Sequence, residues 1–250
     1  MLLNTPSPGD PGASAQCKAD ELRRDELRFQ HHRALSRLLP VLLAWAAAAA
    51  GLTMFLIPLP GSIAITALIP LKVFRRLYEP GDDVQRWRAG AAGERRTAGY
   101  LRPLTQRGWV ILHDRATYGH GNLDHVALTP DGQGAVCINT KTTRGGGEAR
   151  FKGNDLILGR TSYHDTVKKV LREAENASRA LQVPVQAVIA VHGARVKGGR
   201  IVHPNGLVIV NASQLRPALT SVPHQRDPQR LDRLTRRAEY TLPAYDLTPR

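Results

Sequence analysis

Cysteine is nearly absent from this chain of 250 residues: Cys17 and Cys137 are the only two. That excludes a disulfide framework and a thiol cluster spaced for zinc, and makes a reducing compartment the simpler expectation for the folded part. Acidic residues are also in deficit. Asp and Glu number 21 against 35 Lys and Arg, giving a net charge of +14 and a pI near 10.5. Such a balance favours partners that carry phosphates, either nucleic acid or anionic lipid headgroups, without choosing between them. No internal repeat is visible. The glycines at Gly145 to Gly147 are not followed by the Lys-Ser/Thr pair of a P-loop, so they read as a flexible hairpin loop. The 42% hydrophobic content is enough for a sizeable core and excludes a fully disordered chain.

Residues 1–20 are rich in Pro, Gly, Ser and Ala with little apolar periodicity, the composition of a disordered tail. Residues 21–37 combine helix formers with mixed charge and read as a basic juxtamembrane helix. The run from Leu38 to Leu71 carries no charged residue over 34 positions. It is long enough to enter a bilayer, and it starts too far along the chain and runs too long for a signal peptide. Arg23, Arg24, Arg28, Arg33 and Arg37 precede it, and Lys72, Arg75 and Arg76 follow it. Basic flanks on both sides favour two cytoplasmic ends. With the turn signal PLPG at Pro58 to Gly61, that points to a shallow helical hairpin, with a single span as the alternative. The expected location is the cell membrane, with contact to lipid through residues 38–71 and the globular domain in the cytoplasm.

Residues 72–88 read as a linker, residues 89–219 as a soluble α/β domain and residues 220–250 as a basic C-terminal segment. Within the domain, GAAGERRTAGYLRPL has helical character from about Ala91 to Glu94 onward. WVILHD, NLDHVALT, GAVCINTK and LILG are strand-like. HDTVKKVLREAENASRALQ is an amphipathic helix over Thr166 to Leu181, followed by the strands VQAVIAVHG and LVIV and the short helix ASQLRPAL.

The informative stretch is Gly121 to Thr143. Its alternation puts Asp124 on the apolar side of a strand with Val126 and Leu128, and a charge on that side is expensive without a partner or a job. An Asp131-Gly132 turn centre would set Asp124 opposite Asn139, and a loop two residues longer on one side would set it opposite Lys141. Either register leaves Asp124, Asn139 and Lys141 on one face, because a shift of two preserves sidedness. A carboxylate, an amide oxygen and a lysine converging there could hold a divalent ion and a water, or form a plain ion pair on a half-buried sheet.

Gly93-Glu94, Gly121-Asn122-Leu123-Asp124-His125, the Pro130 to Gly132 turn, and Ile138-Asn139-Thr140-Lys141 followed by Gly145 together resemble the nuclease-related domain, NERD. The resemblance implies a restriction-endonuclease-like fold of the PD-(D/E)XK class, a mixed central sheet flanked by helices. It implies that Asp124 is the metal-binding aspartate, Lys141 the catalytic lysine and Glu94 a helix-borne acid at the same site, with Mg²⁺ or Mn²⁺ as cofactor. Nucleic acid, DNA or RNA, would be the partner. Asn139 stands where such families carry Glu or Asp, so a neutral amide oxygen replaces a charged ligand. The expected function is a membrane-anchored protein that binds or hydrolyses nucleic-acid phosphodiesters. The alternative is a catalytically degraded module that holds nucleic acid or a protein at the membrane.

Among other candidates, His125 should point away from Asp124 and read as a packed histidine, with His113 and His120 nearby. Asp165 reads as the N-cap of the amphipathic helix, and Lys168, Lys169 and Arg172 as its solvated basic face.

Overall fold

The computed structural model describes residues 6–33, 43–44, 46–47, 50–51, 79–117 and 121–246. Most of Leu38 to Leu71, and with it the expected membrane insertion, lies outside the described residues, as does His120. Among the described residues no helix is long and apolar enough to cross a membrane. The chain divides into two compact units, residues 18–86 and residues 1–17 with 87–250.

In the smaller unit, helix α1 (Ala13–Arg33) continues from the other unit. Its Glu26 accepts a hydrogen bond from the Gly81 amide at 2.8 Å and pairs with Arg23 at 2.9 Å. The last part of the expected linker is helical: α2 runs Asp82–Leu101. Asp82 and Asp83 lie in its first turn, where carboxylates complement the helix dipole, so the helix opens well before Ala91.

The larger unit is mixed α/β. Its strands are β1 (Val110–Ala116), β2 (Asn122–Leu128), β3 (Ala135–Thr142), β4 (Glu148–Lys152), β5 (Asp155–Leu158), β6 (Thr161–Tyr163), β7 (Val185–His192), β8 (Arg195–Val196), β9 (Arg200–Val202) and β10 (Val208–Asn211). Helix α3 (Thr166–Leu181) matches the amphipathic segment read from sequence. The short α4 (Leu215–Leu219) and α5 (Pro228–Thr241) follow. A six-stranded sheet has the order β1-β2-β3-β7-β10-β9, and a four-stranded sheet the order β6-β5-β4-β8. β1, β2 and β3 are antiparallel neighbours, whereas β7 runs parallel to both β3 and β10.

Two apolar layers cover the six-stranded sheet. Val126, Leu128, Ala135, Cys137, Ala187 and Ile189 pack against Val167, Val170, Ala174, Ala177 and Leu181 of α3. The opposite residues, Ala127, Val136, Ile138, Val188 and Val210, pack with Leu101, Leu104 and Leu215. The period-two alternation of the strands and the 3.6-residue period of α3 meet along one seam.

Both expected ends of the domain are too narrow. Leu234, Ala238 and Leu242 join the same core as α3, so the segment after residue 219 belongs to the fold. Asp227 caps α5 by accepting from the Arg230 amide. The expected disordered tail is also partly structured. Helix α1 starts at Ala13, Ala13 and Ala15 are buried, and the Ser14 amide donates to Asp114 Oδ2 at 2.7 Å. A side-chain acceptor supplied from β1, a hundred residues away, starts that helix, and composition carries no trace of it.

Candidate functional site

β2 and β3 form the expected hairpin. His125 pairs with Ile138 and Leu128 with Ala135, the register centred on Asp131 and Gly132; the paired residues end one step before Asp124 and Asn139. The Thr129 hydroxyl donates to Asp131, whose carboxylate also accepts from the Gln133 amide, and Gly132 adopts a φ of 61° that favours glycine. Asp124 thus shares a face with Cys137, Asn139 and Lys141, beneath α3.

Asp124 is 8% exposed and Asn139 4%, while Lys141 is half-buried. The Asp124 carboxylate accepts the Thr140 amide at 2.6 Å, which fixes it against β3. Among the described residues, Lys141 closes no ion pair with it. Burial raises the Asp124 pKa, opposed by the Lys141 charge and the Thr140 bond. Burial likewise lowers that of Lys141, opposed by Asp124. The two charges therefore sense each other without being locked together.

Glu94 arrives from α2. Gly93 lets the helix approach β3 closely, since a Cβ there would collide with the Thr142 hydroxyl. One turn on, the Thr97 hydroxyl accepts from Thr140 at 3.1 Å and contacts His192 Nε2 at 2.8 Å. Glu94 is 8% exposed, and its Oε2 has no hydrogen-bond partner among the described residues. Burial and then the negative charge of Asp124 push its pKa up to about 9, against the pull of Lys141. Glu94, Asp124 and Lys141 therefore form one electrostatically linked group, with Asn139 two residues before Lys141 on β3.

Two acids in this neighbourhood escaped the sequence reading. Glu173 lies on the apolar side of α3, between Val170 and Ala177, and is 5% exposed. Both its carboxylate oxygens lack a hydrogen-bond partner among the described residues, and Lys169 Nζ stands 3.7 Å away. Burial raises its pKa to about 7, with Lys169 opposing and Asp124 adding to the rise. Asp114 ends the alternation of Val110 and Leu112 in β1 and is fully buried. In both cases the available signal was the one used for Asp124: a charge at a position the apolar periodicity assigns to the core.

The remaining candidates are structural. His113 and His125 pair through Nδ1 at 2.8 Å on the sheet face opposite Asp124, and burial holds both below the usual histidine range. Asp165 does not cap α3 with its side chain. Its φ of 48° is left-handed, its amide donates to Asp155, and its carboxylate pairs with Lys168. Burial raises the Cys137 thiol well above its ordinary value, which leaves it unreactive.

The donor set is all oxygen, as a hard divalent cation requires: two buried carboxylates whose pKa values are driven up, and an Asn139 Oδ1 that is buried and unpartnered among the described residues. Among the described residues no three His, Cys, Asp or Glu side chains gather as a ready metal group. A cation here would lean on the amide oxygen and on substrate oxygens as well as the acids.

No curated protein and no solved structure matches the chain. Residues 89–192, which carry Glu94, Asp124, Asn139 and Lys141, match the family model described as NERD, the nuclease-related domain.

Proposed function

We propose that the chain is a membrane-anchored, nuclease-related protein that binds nucleic acid and hydrolyses its phosphodiesters with a divalent cation, Mg²⁺ or Mn²⁺. What supports the reading most is the grouping of Glu94, Asp124 and Asn139, buried and only partly satisfied, with the half-buried Lys141, within the segment that matches the nuclease-related domain. The mixed sheet with helices on its faces is compatible with a restriction-endonuclease-like arrangement, in which an acid and a lysine from adjacent strands serve phosphodiester hydrolysis.

In this reading Asp124, Asn139 and Glu94 hold the cation, which when bound polarises the phosphoryl oxygen and acidifies water. The Thr140 amide keeps one Asp124 oxygen fixed and leaves the other for ligation. Lys141 holds the attacking water in line and offsets charge on the phosphate; its lowered pKa also eases proton exchange with that water. The surplus of Lys and Arg supplies sequence-independent attraction for the nucleic-acid backbone.

One observation favours a second reading. Asn139 replaces an acid with a neutral oxygen, and a site so weakened would leave a module that binds nucleic acid or a protein without cutting. The purified chain, incubated with Mg²⁺ or Mn²⁺ and plasmid or single-stranded substrate, separates the two. Hydrolysis lost in both Asp124→Ala and Lys141→Ala supports the enzyme. Salt-sensitive binding without cleavage supports the module.

Anchoring rests on the uncharged run from Leu38 to Leu71 and its basic flanks. It predicts that the chain stays with the membrane pellet after alkaline extraction. Release into the supernatant would refute it.

A further inference from the structure

The cluster contains a carboxylate too many for a plain structural role and, on β3, one too few for a strong cation site. Asn139 leaves the strand without its acid. Glu173 faces the same sheet surface from the α3 side, packed among residues that contact Cys137, the neighbour of Asn139 on that face. It is 5% exposed, and neither of its oxygens has a hydrogen-bond partner among the described residues. A buried carboxylate in that state is costly and is rarely kept without a use. Its one ion pair among the described residues, with the half-exposed Lys169 at 3.7 Å, is longer than a hydrogen bond and leaves the carboxylate able to take a better partner. Asn139 is 4% exposed, its Oδ1 is unpartnered among the described residues, and Cys137, two residues before it on β3, belongs to the core that α3 covers.

We propose that Glu173 supplies an acidic cation ligand, beside Asp124 and Glu94, in place of the carboxylate missing at Asn139, so that the site is completed by helix α3 as well as by strand β3. The proposal rests on the cation-dependent reading of the site given above. Charge is then conserved across the cluster although its origin moves from strand to helix: Asp124 and Glu94 contribute their carboxylates, Glu173 the one that β3 lacks, and Asn139 a neutral oxygen.

The test is Mn²⁺ binding by the purified full chain, followed calorimetrically without nucleic acid. Glu173→Gln should weaken Mn²⁺ binding by about tenfold or more, and adding Asn139→Asp to that variant should recover most of the loss. Melting in chelator checks folding: Glu173→Gln removes a buried charge and should melt no lower than the parent chain. Should it fail to fold, Glu173→Asp, which keeps the charge and shortens the reach, must also weaken Mn²⁺ binding. Unchanged affinity in the Glu173 variants, with binding still abolished in Asp124→Asn, overturns the assignment of Glu173 while leaving the site reading intact. Loss through Glu173→Gln that Asn139→Asp fails to restore overturns the substitution argument. Absence of Mn²⁺ binding in the parent chain overturns both.

Discussion

Two buried aspartates stand on neighbouring strands of the same sheet and are treated in opposite ways. Asp114 of β1 is fully buried and well supplied: its carboxylate accepts from the Ser14 amide at 2.7 Å and from Asn122 Nδ2 at 3.1 Å. The Asn122 amide also donates to the Ser14 hydroxyl. Asp124 of β2 has one backbone donor, and around it Glu94 Oε2, Asn139 Oδ1 and both oxygens of Glu173 lack partners among the described residues. The first cluster spends its polar groups on holding a helix start to a strand. The second leaves acceptors open where a cation and a phosphate could complete them. Satisfaction, more than burial, separates architecture from site.

The largest effect expected from this contrast is on cleavage. Asp124→Asn should reduce phosphodiester hydrolysis by about a hundredfold or more without lowering the melting temperature, because it removes a poorly compensated buried charge. Asp114→Asn should do the reverse, lowering the melting temperature while cleavage survives. Parallel kinetics and melts on the two variants check both halves, and a shared phenotype would break the comparison.

Next comes the pH dependence of stability in chelator. The folded-state pKa values of Glu173 and Glu94 are raised from 4.5 to about 7 and about 9. The folded chain therefore holds those protons more tightly than the unfolded one. Stability from these groups is fully present below the unfolded value and is lost as pH climbs through the folded values, by up to about 1.4 kcal/mol per pH unit for each group. His113 and His125, held below the usual histidine range, push stability the other way at the acid end, so the fall is read as a difference: in denaturant melts the parent chain should lose stability relative to Glu173→Gln as pH climbs to about 7, and relative to Glu94→Gln as it climbs to about 9. A relative gain in stability over those ranges would contradict the assignment.

A smaller loss attends Asp114→Ala, which strands buried donors and should cost about 1–3 kcal/mol in chemical denaturation. Smallest is the isolated bond from the Ser14 amide. Ser14→Ala removes only the hydroxyl, whereas Ser14→Pro also removes the N–H in a helical first turn that tolerates proline; the difference should be about 1 kcal/mol.

The same contrast explains what could be read from sequence. The β2–β3 hairpin, its register alternatives and the shared face of Asp124, Asn139 and Lys141 follow from a period of two and an Asp-Gly turn, both local properties. Helix α3 was legible over its whole length for the same reason. Strands β4, β6 and β8 were not, because they are short and belong to a second sheet whose pairings no local pattern encodes, and neither was β9, three residues at the edge of the six-stranded sheet. The start of α1 at Ala13 depends on Asp114, and the place of α5 in the core depends on Leu234, Ala238 and Leu242 meeting α3. Both are long-range facts. Glu173 was readable in principle, since it interrupts the apolar side of an otherwise clear amphipathic helix, yet basic neighbours on the outer face drew the attention.

The most direct test of the central claim is the response of thermal stability to Mn²⁺ in the parent chain, Asp124→Asn and Asp114→Asn. A ligand that binds only the folded state raises stability with the logarithm of its concentration. Mn²⁺ should therefore raise the melting temperature of the parent and of Asp114→Asn progressively, and leave Asp124→Asn unmoved. An equal response in all three, or none in the parent, would contradict the account.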